Sequence, residues 1–235
     1  MRLIPDKTGR FSCRPFFEDG ELDLECDRII TQFLTKKYGC VKLPICTEDL
    51  KCLLETKADL DLYVTLNQGE EGKTDFRRKK PDVHISEILS SEARYENRLR
   101  TTLAHEFGHV HFHGPFYEMK KAQLVLDFFG NELELVLVTY RSSVITASET
   151  DWLEWQAGYV SGALLMPISH VKPRVLQYLG QHGTTAVSLE SPLAQNLIQK
   201  ASLRYQVSAV AARVRLQQLG YIVDCAAVSV QGELL

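Results

Sequence analysis

The sequence predicts an α+β chain, and three observations carry that class. Apolar residues recur at helical spacing before residue 56; two β-rich stretches follow between residues 61 and 88; and apart from one hairpin signal the rest reads as helix. With 235 residues and 45% hydrophobic content, the chain can bury a core as one large domain or two small ones. A net charge of -3 argues against a protein driven by bulk electrostatics onto nucleic acid or anionic lipid. The opening Met1 to Arg10 has no apolar run of signal-peptide length, and no stretch approaches a membrane span, so a cytoplasmic protein with no membrane partner is expected. Cys13, Cys26, Cys40, Cys46, Cys52 and Cys225 form no C-x-x-C pair; they read as scattered thiols of a reducing compartment.

Taken in order, Leu22, Cys26, Ile29, Ile30, Phe33 and Leu34 mark one face of a helix from Glu21 to Tyr38, ended by Gly39. A second helix is expected from Thr47, with Thr47 as its cap, Glu48 and Asp49 in the positive first turn, and Leu50, Leu53 and Leu54 facing inward. Residues 61–66 and 81–88 read as strands. The polar stretch between them, residues 67–80, reads as a connection, and its basic run Arg77 to Lys80 as a solvated loop. Val83 to Glu87 is the candidate exposed edge for an extended peptide main chain.

The run from Leu99 to Gly114 contains His105-Glu106-Phe107-Gly108-His109. On a helix, His105 and His109 stand one turn apart on one face, where both imidazoles reach a single metal ion, and Glu106 sits beside that ion as a general base. Leu99, Leu103, Phe107 and Val110 supply a buried face, and Gly114-Pro115 reads as the stop. A metzincin would need Gly and His three and six residues after the second histidine, but this chain has Phe112 and Pro115. His113 lies about 12 Å along the helix from His105 and reads as a partner of the helix C-terminus.

Downstream, two apolar runs around Gly130-Asn131 read as a hairpin from Leu124 to Tyr140, packed on the core or serving as a flap or partner surface. The segment from Asp151 to Pro167 reads as a helix with Leu153, Ala157, Val160, Ser161 and Leu164 on one face. Glu154 near its start can complete a two-His, one-Glu site with a fourth position left for water; Glu149 and Asp151 are alternatives.

Thr102-Leu-Ala-His-Glu-Phe-Gly-His109 with His113, followed by Glu154-x-x-Ala157 running into Leu164-Leu-Met-Pro167, resembles the ImmA/IrrE family of metallo-endopeptidases. The similarity extends more weakly from Ile29 to the segment 205–220. It departs at Gly158 and Val160, where the family has Asn and Phe, and in a long spacing between His109 and Glu154 that accommodates the hairpin as an insertion at about residues 122–141. The resemblance implies a zincin-like domain over residues 1–167 and a helical C-terminal subdomain over 168–235. It implies Zn2+ held by His105, His109 and Glu154, with Glu106 as the catalytic base. The implied substrate is a helix-turn-helix repressor, cleaved in a bacterium or by a phage or mobile element. Tyr159 and His170 are the candidates for stabilising the oxyanion. Residues 189–220 have an apolar face at Leu203, Val207, Val210, Val214 and Leu219, with Ser202 or Ser208 as caps. Four cations there are too few for strong phosphate binding, so they are expected to receive a protein and not to read DNA. The alternative is a non-proteolytic regulator or toxin-antitoxin component with an idle metal site.

Overall fold

The structure, a computed structural model, describes residues 2–126, 135–140 and 151–224. It is α+β, and the chain divides into two compact units: Met1–Leu22 with Cys46–Ser161, and Asp23–Ile45 with Gly162–Leu235. No helix among the described residues is long and apolar enough to cross a membrane.

The first unit opens with a hairpin in which β1 (Arg2–Pro5) pairs antiparallel with β2 (Cys13–Phe16). Helix α1 (Asp19–Tyr38), which belongs to the second unit from Asp23 onward, starts two residues earlier than expected and buries Leu22, Cys26, Ile30 and Leu34. Gly39 ends it in the left-handed conformation that glycine adopts without steric cost, its N–H bonding the Thr35 carbonyl at 2.8 Å. Helix α2 (Thr47–Glu55) forms as expected, but Thr47 does not cap it. Thr47 is already the first helical residue, and its hydroxyl donates to the Glu96 carboxylate.

The sheet departs most from expectation. Its strands are β3 (Asp59–Val64), β4 (Glu70–Asp75), β5 (Asp82–Ser86) and β6 (Val136–Tyr140), in the order β3-β5-β4-β6. β5 runs parallel to β3, and the other neighbours pair antiparallel. β4 arises inside the stretch expected to be a connection. β5, which contains the expected edge from Val83, is an interior strand hydrogen-bonded on both sides, so its main chain is not open to a substrate. Glu87 belongs to the next element, the short helix α3 (Glu87–Ser91). The basic run Arg77 to Lys80 does lie in the β4–β5 turn. There Arg77 pairs with Asp75, Arg78 with Asp82 and Asp59, and Lys80 with Asp59, so most of its charge is locally balanced.

Helix α4 (Glu96–Gly108) is buried on every side from Leu99 onward, not along one stripe. The expected stop at Gly114-Pro115 does not end the helical path. One π-helical turn, His109–His113, leads into α5 (Gly114–Leu126), with the Gly114 N–H bonding the His109 carbonyl five residues back. A wide turn of this kind absorbs the local change in hydrogen bonding that a proline imposes. The first arm of the expected hairpin is therefore helical as far as Leu126, residues 127–134 lie outside the described residues, and the second arm is β6, paired with β4. Phe11, Phe76, Phe116, Tyr117, Leu137, Trp152 and Leu153 form an apolar cluster that fixes α5 and β6 beside α6 (Trp152–Leu165). Within it Phe76 stacks on Tyr117 at 4.3 Å, and Phe116 meets Phe11 edge-on at 5.1 Å.

The second unit contains α7 (Ile168–Gly180), α8 (Pro192–Tyr205), α9 (Ala209–Gln218) and the two-residue parallel strands β7 (Val187–Ser188) and β8 (Ile222–Val223). Ser191 and Ser208 cap α8 and α9, each accepting a backbone N–H at 3.1 Å. Ser202 instead donates to the Val207 carbonyl. The buried pair Arg215 and Asp23, 2.5 Å apart, ties α9 to α1. Leu203 and Val210 are exposed, at 73% and 44%.

Candidate metal centre

His105 near the end of α4 and His109 at the start of the π-helical turn stand one turn apart on the same helical path, and α6 has a carboxylate that reaches them. His105 Nε2 and His109 Nε2 lie 3.1 Å from each other, and each lies 3.1 Å from one oxygen of Glu154. All three side chains are buried. Three donors at the corners of a tetrahedron with metal bonds of ~2.0–2.1 Å stand about 3.3 Å apart, so this group has the spacing of a ligand set. His105, His109 and Glu154 together can hold a metal ion.

The electrostatics of the metal-free group agree with that use. Burial alone would raise the Glu154 carboxyl, but the facing charge of His109 and hydrogen bonds from both imidazoles hold it well below the usual carboxylate range. Burial alone would lower His109, but the Glu154 carboxylate overcomes this and raises it. Glu154 is thus kept as an anion beside two nitrogen donors.

Asp151 has a different task. It precedes the first residue of α6 and accepts the Glu154 backbone N–H at 3.4 Å, as an N-cap does, which sets the helix start that aims Glu154. Glu149 lies outside the described residues. Tyr159 is buried on α6 beside Trp155, and His170 belongs to α7 in the second unit.

Glu106 lies next to His105 on α4, wholly buried. One of its oxygens accepts the Thr74 hydroxyl at 2.5 Å, and the other has no hydrogen-bond partner among the described residues. Room for that carboxylate comes from Gly72, where a Cβ would fall 2.2 Å from Glu106 Oε1. Gly72 and Thr74 both lie on β4, and so does Glu71, which is bonded by Arg98 at 3.0 Å and by Thr102 at 3.1 Å. The pairing of β4 with β6 shifts register between Glu70 and Gly72, an irregularity that lets Glu71, Gly72 and Thr74 all meet α4.

No protein-family model and no curated protein matches the chain.

His113 is not at a helix end. It is fully buried, its Nδ1 lies 3.1 Å from His109 Nδ1, its Nε2 lies 3.0 Å from Gln156 Oε1, and the Trp152 ring meets it edge-on at 5.7 Å. Burial and the neighbouring His109 push its pKa well below the ordinary histidine value, so the ring is neutral. Gln156 in turn donates to the Pro15 carbonyl at 3.2 Å. Sequence reasoning placed His105, Glu106, His109 and Glu154 together but missed Gly72, Thr74, Gln156 and the role of His113. The repeat of histidine at 105, 109 and 113 and the lone amide in an apolar helix were the available signals for the last two. Nothing in the sequence points to Gly72 or Thr74.

Proposed function

We propose that this chain is a zinc-dependent endopeptidase with a zincin-like arrangement of sheet, active-site helix and downstream carboxylate. The observation that carries the reading is Glu106, a fully buried carboxylate with one oxygen held by Thr74 and the other, beside His105, without a hydrogen-bond partner among the described residues. A structural metal site has no use for such a group, whereas a hydrolase needs a fixed base with a free lone pair. The donor set of two imidazoles and one carboxylate suits zinc and leaves a position for water. Bound there, zinc would lower the pKa of a water molecule and polarise a peptide carbonyl. Glu106 Oε1 accepts the water proton and returns it to the amide nitrogen as the peptide bond breaks. Thr74 holds the other oxygen, so the carboxylate keeps its orientation in both protonation states.

The substrate we propose is a helix-turn-helix repressor, on the strength of the resemblance to the ImmA/IrrE family. Exposed Leu203 and Val210 on the C-terminal helices and the acidic net charge suit a basic protein partner better than DNA. The test is incubation of the metal-loaded chain with the repressor encoded beside it, with Glu106→Gln as control. The expected result is cleavage by the wild type and none by the variant, at equal metal content. Sequence-specific DNA binding by this chain with no cleavage of any neighbouring repressor would overturn the reading in favour of a regulator with an idle metal site.

A further inference from the structure

The orientation of His109 follows from its neighbours, working inward from the Pro15 carbonyl. That oxygen only accepts, so the group of Gln156 facing it at 3.2 Å is the amide NH2. The amide oxygen is thereby turned towards His113 Nε2 at 3.0 Å, and because that oxygen also only accepts, His113 Nε2 must carry the proton. With its ring wholly buried and its one hydrogen on Nε2 spent on Gln156, His113 has Nδ1 left as an acceptor, which faces His109 Nδ1 at 3.1 Å and receives a hydrogen from it. Every bond in the series has one donor and one acceptor, and reversing any one sets two acceptors or two donors face to face.

We infer that His113 and Gln156 are positioning residues: they hold the Nδ1 hydrogen of His109 on the side away from the site, so that its Nε2 is the nitrogen that faces His105 and Glu154 and gives up its proton to ligate. The inference rests on the metal-site reading above, but the place of the Nδ1 hydrogen is set by the protein alone, before any ion arrives. Gln156 also links this function to the helix of the third ligand. Helix α6 thus acts on the site twice, directly through Glu154 and indirectly through Gln156 and His113. Pro15 lies on β2, so the N-terminal hairpin anchors the outer end. His105 has no such support: its Nδ1 is buried with no partner among the described residues. Of the two imidazoles, His109 is the one whose Nδ1 hydrogen is held by a neighbouring side chain among the described residues.

The test compares His113→Gln with His113→Leu. A glutamine offers one acceptor and one donor, as a neutral imidazole does, whereas leucine fills the space and offers neither. Loss of partners that orient a ligating histidine typically weakens metal affinity ~10–100-fold. The expected result, by chelator competition with Zn2+ and by the absorption spectrum of the Co2+-loaded chain, is such a loss for His113→Leu and near wild-type affinity and spectrum for His113→Gln. A packing role alone predicts the opposite order, since leucine suits a buried site better than an amide. Gln156→Leu, which touches no ligand, should weaken binding in the same direction and serves if His113→Leu does not fold. Long-range proton–nitrogen NMR on the metal-free wild type should show His109 protonated at Nδ1 and neutral His113 protonated at Nε2. The inference is overturned by the reverse tautomer at either ring, or by His113→Leu binding both metals like the wild type. These readouts are independent of proteolysis: a chain that binds zinc through this series yet cleaves nothing would sink the peptidase reading and leave the inference standing.

Discussion

Replacing Gly72 by alanine tests the catalytic reading with one methyl group. Gly72 does not need glycine for its own backbone, because its φ lies outside the left-handed region, so the perturbation is purely the new carbon. That carbon would stand 2.2 Å from Glu106 Oε1, 2.9 Å from Cδ and 3.2 Å from Cγ, so the collision involves most of the side chain. β4 is hydrogen-bonded on both sides and yields less readily than a carboxylate on a rotatable stem. Glu106 therefore swings away and loses its bond from Thr74. A hydrogen bond to a charged group contributes ~1.5–3 kcal/mol, and an off-rotamer side chain costs ~0.5–1.5 kcal/mol, so about 2–4 kcal/mol of stability is at stake. The larger effect is on rate, since a positioned general base contributes ~10²–10⁴-fold and all of it depends on the position Glu106 loses. The assay is cleavage of a protein substrate by the metal-loaded chain, with metal content measured alongside. Gly72→Ala should lose two orders of magnitude or more in kcat/KM while holding its zinc, and should add little to the loss already caused by Glu106→Gln. A Gly72→Ala enzyme with the wild-type rate, or one whose loss adds fully to that of Glu106→Gln, would refute the assignment of Glu106.

Gly108→Ala places a Cβ 3.0 Å from the Ala157 backbone and 3.3 Å from Val160, so it should push α6 off α4 and weaken zinc binding with Glu106 undisturbed, as read by chelator competition. Asp23→Ala removes the carboxylate that faces the buried Arg215 guanidinium and should cost ~3–5 kcal/mol in denaturant unfolding, while Arg215→Ala together with Asp23→Ala should cost less than the two losses added. In the metal-free chain the raised His109 stabilises the fold below its ordinary 6.5 and loses that contribution as pH rises through the raised value. The lowered Glu154 stabilises above its ordinary 4.5 and loses its contribution as pH falls. Melting temperature in chelator should therefore peak between the two and fall on either side, with His109→Ala removing the alkaline slope. Zinc binding near neutral pH should release protons from His109, giving a calorimetric heat that depends on the ionisation enthalpy of the buffer.

His105, Glu106, His109 and Glu154 could be read from sequence because metal ligation imposes a spacing of its own. Two imidazoles on one ion need a one-turn separation, and a third ligand from another helix needs a carboxylate close to that helix's start. Helices α1 and α2 were equally legible, because each turns an apolar face to the core at regular intervals. The continuation of the helical path past Gly114-Pro115 was not. Local propensity argues for a stop there, whereas burial of Phe112, Phe116 and Tyr117 favours carrying the helix on through one wide turn. The same limit applied to His113, whose distance along the helix from His105 excluded it as a ligand but said nothing about support from α6.

Strand β4 was hidden because its composition serves the site more than the core. Glu-Glu-Gly-Lys-Thr-Asp has no apolar alternation, yet Glu71, Gly72, Thr74 and Asp75 are all buried or closely covered. Each has a partner that only the folded state reveals: Arg98 and Thr102 for Glu71, Glu106 for Thr74, Arg77 for Asp75 and a gap filled by Glu106 at Gly72. A strand that must hold a base and anchor a helix by hydrogen bonds cannot also spend those positions on valine and isoleucine, so the usual signature of a strand is lost where the chemistry is concentrated. Missing β4 also produced the misplaced edge. With β4 and β6 added beyond it, β5 moves from the border to the interior, and the full burial of Val83 and Ile85 is what an interior strand requires.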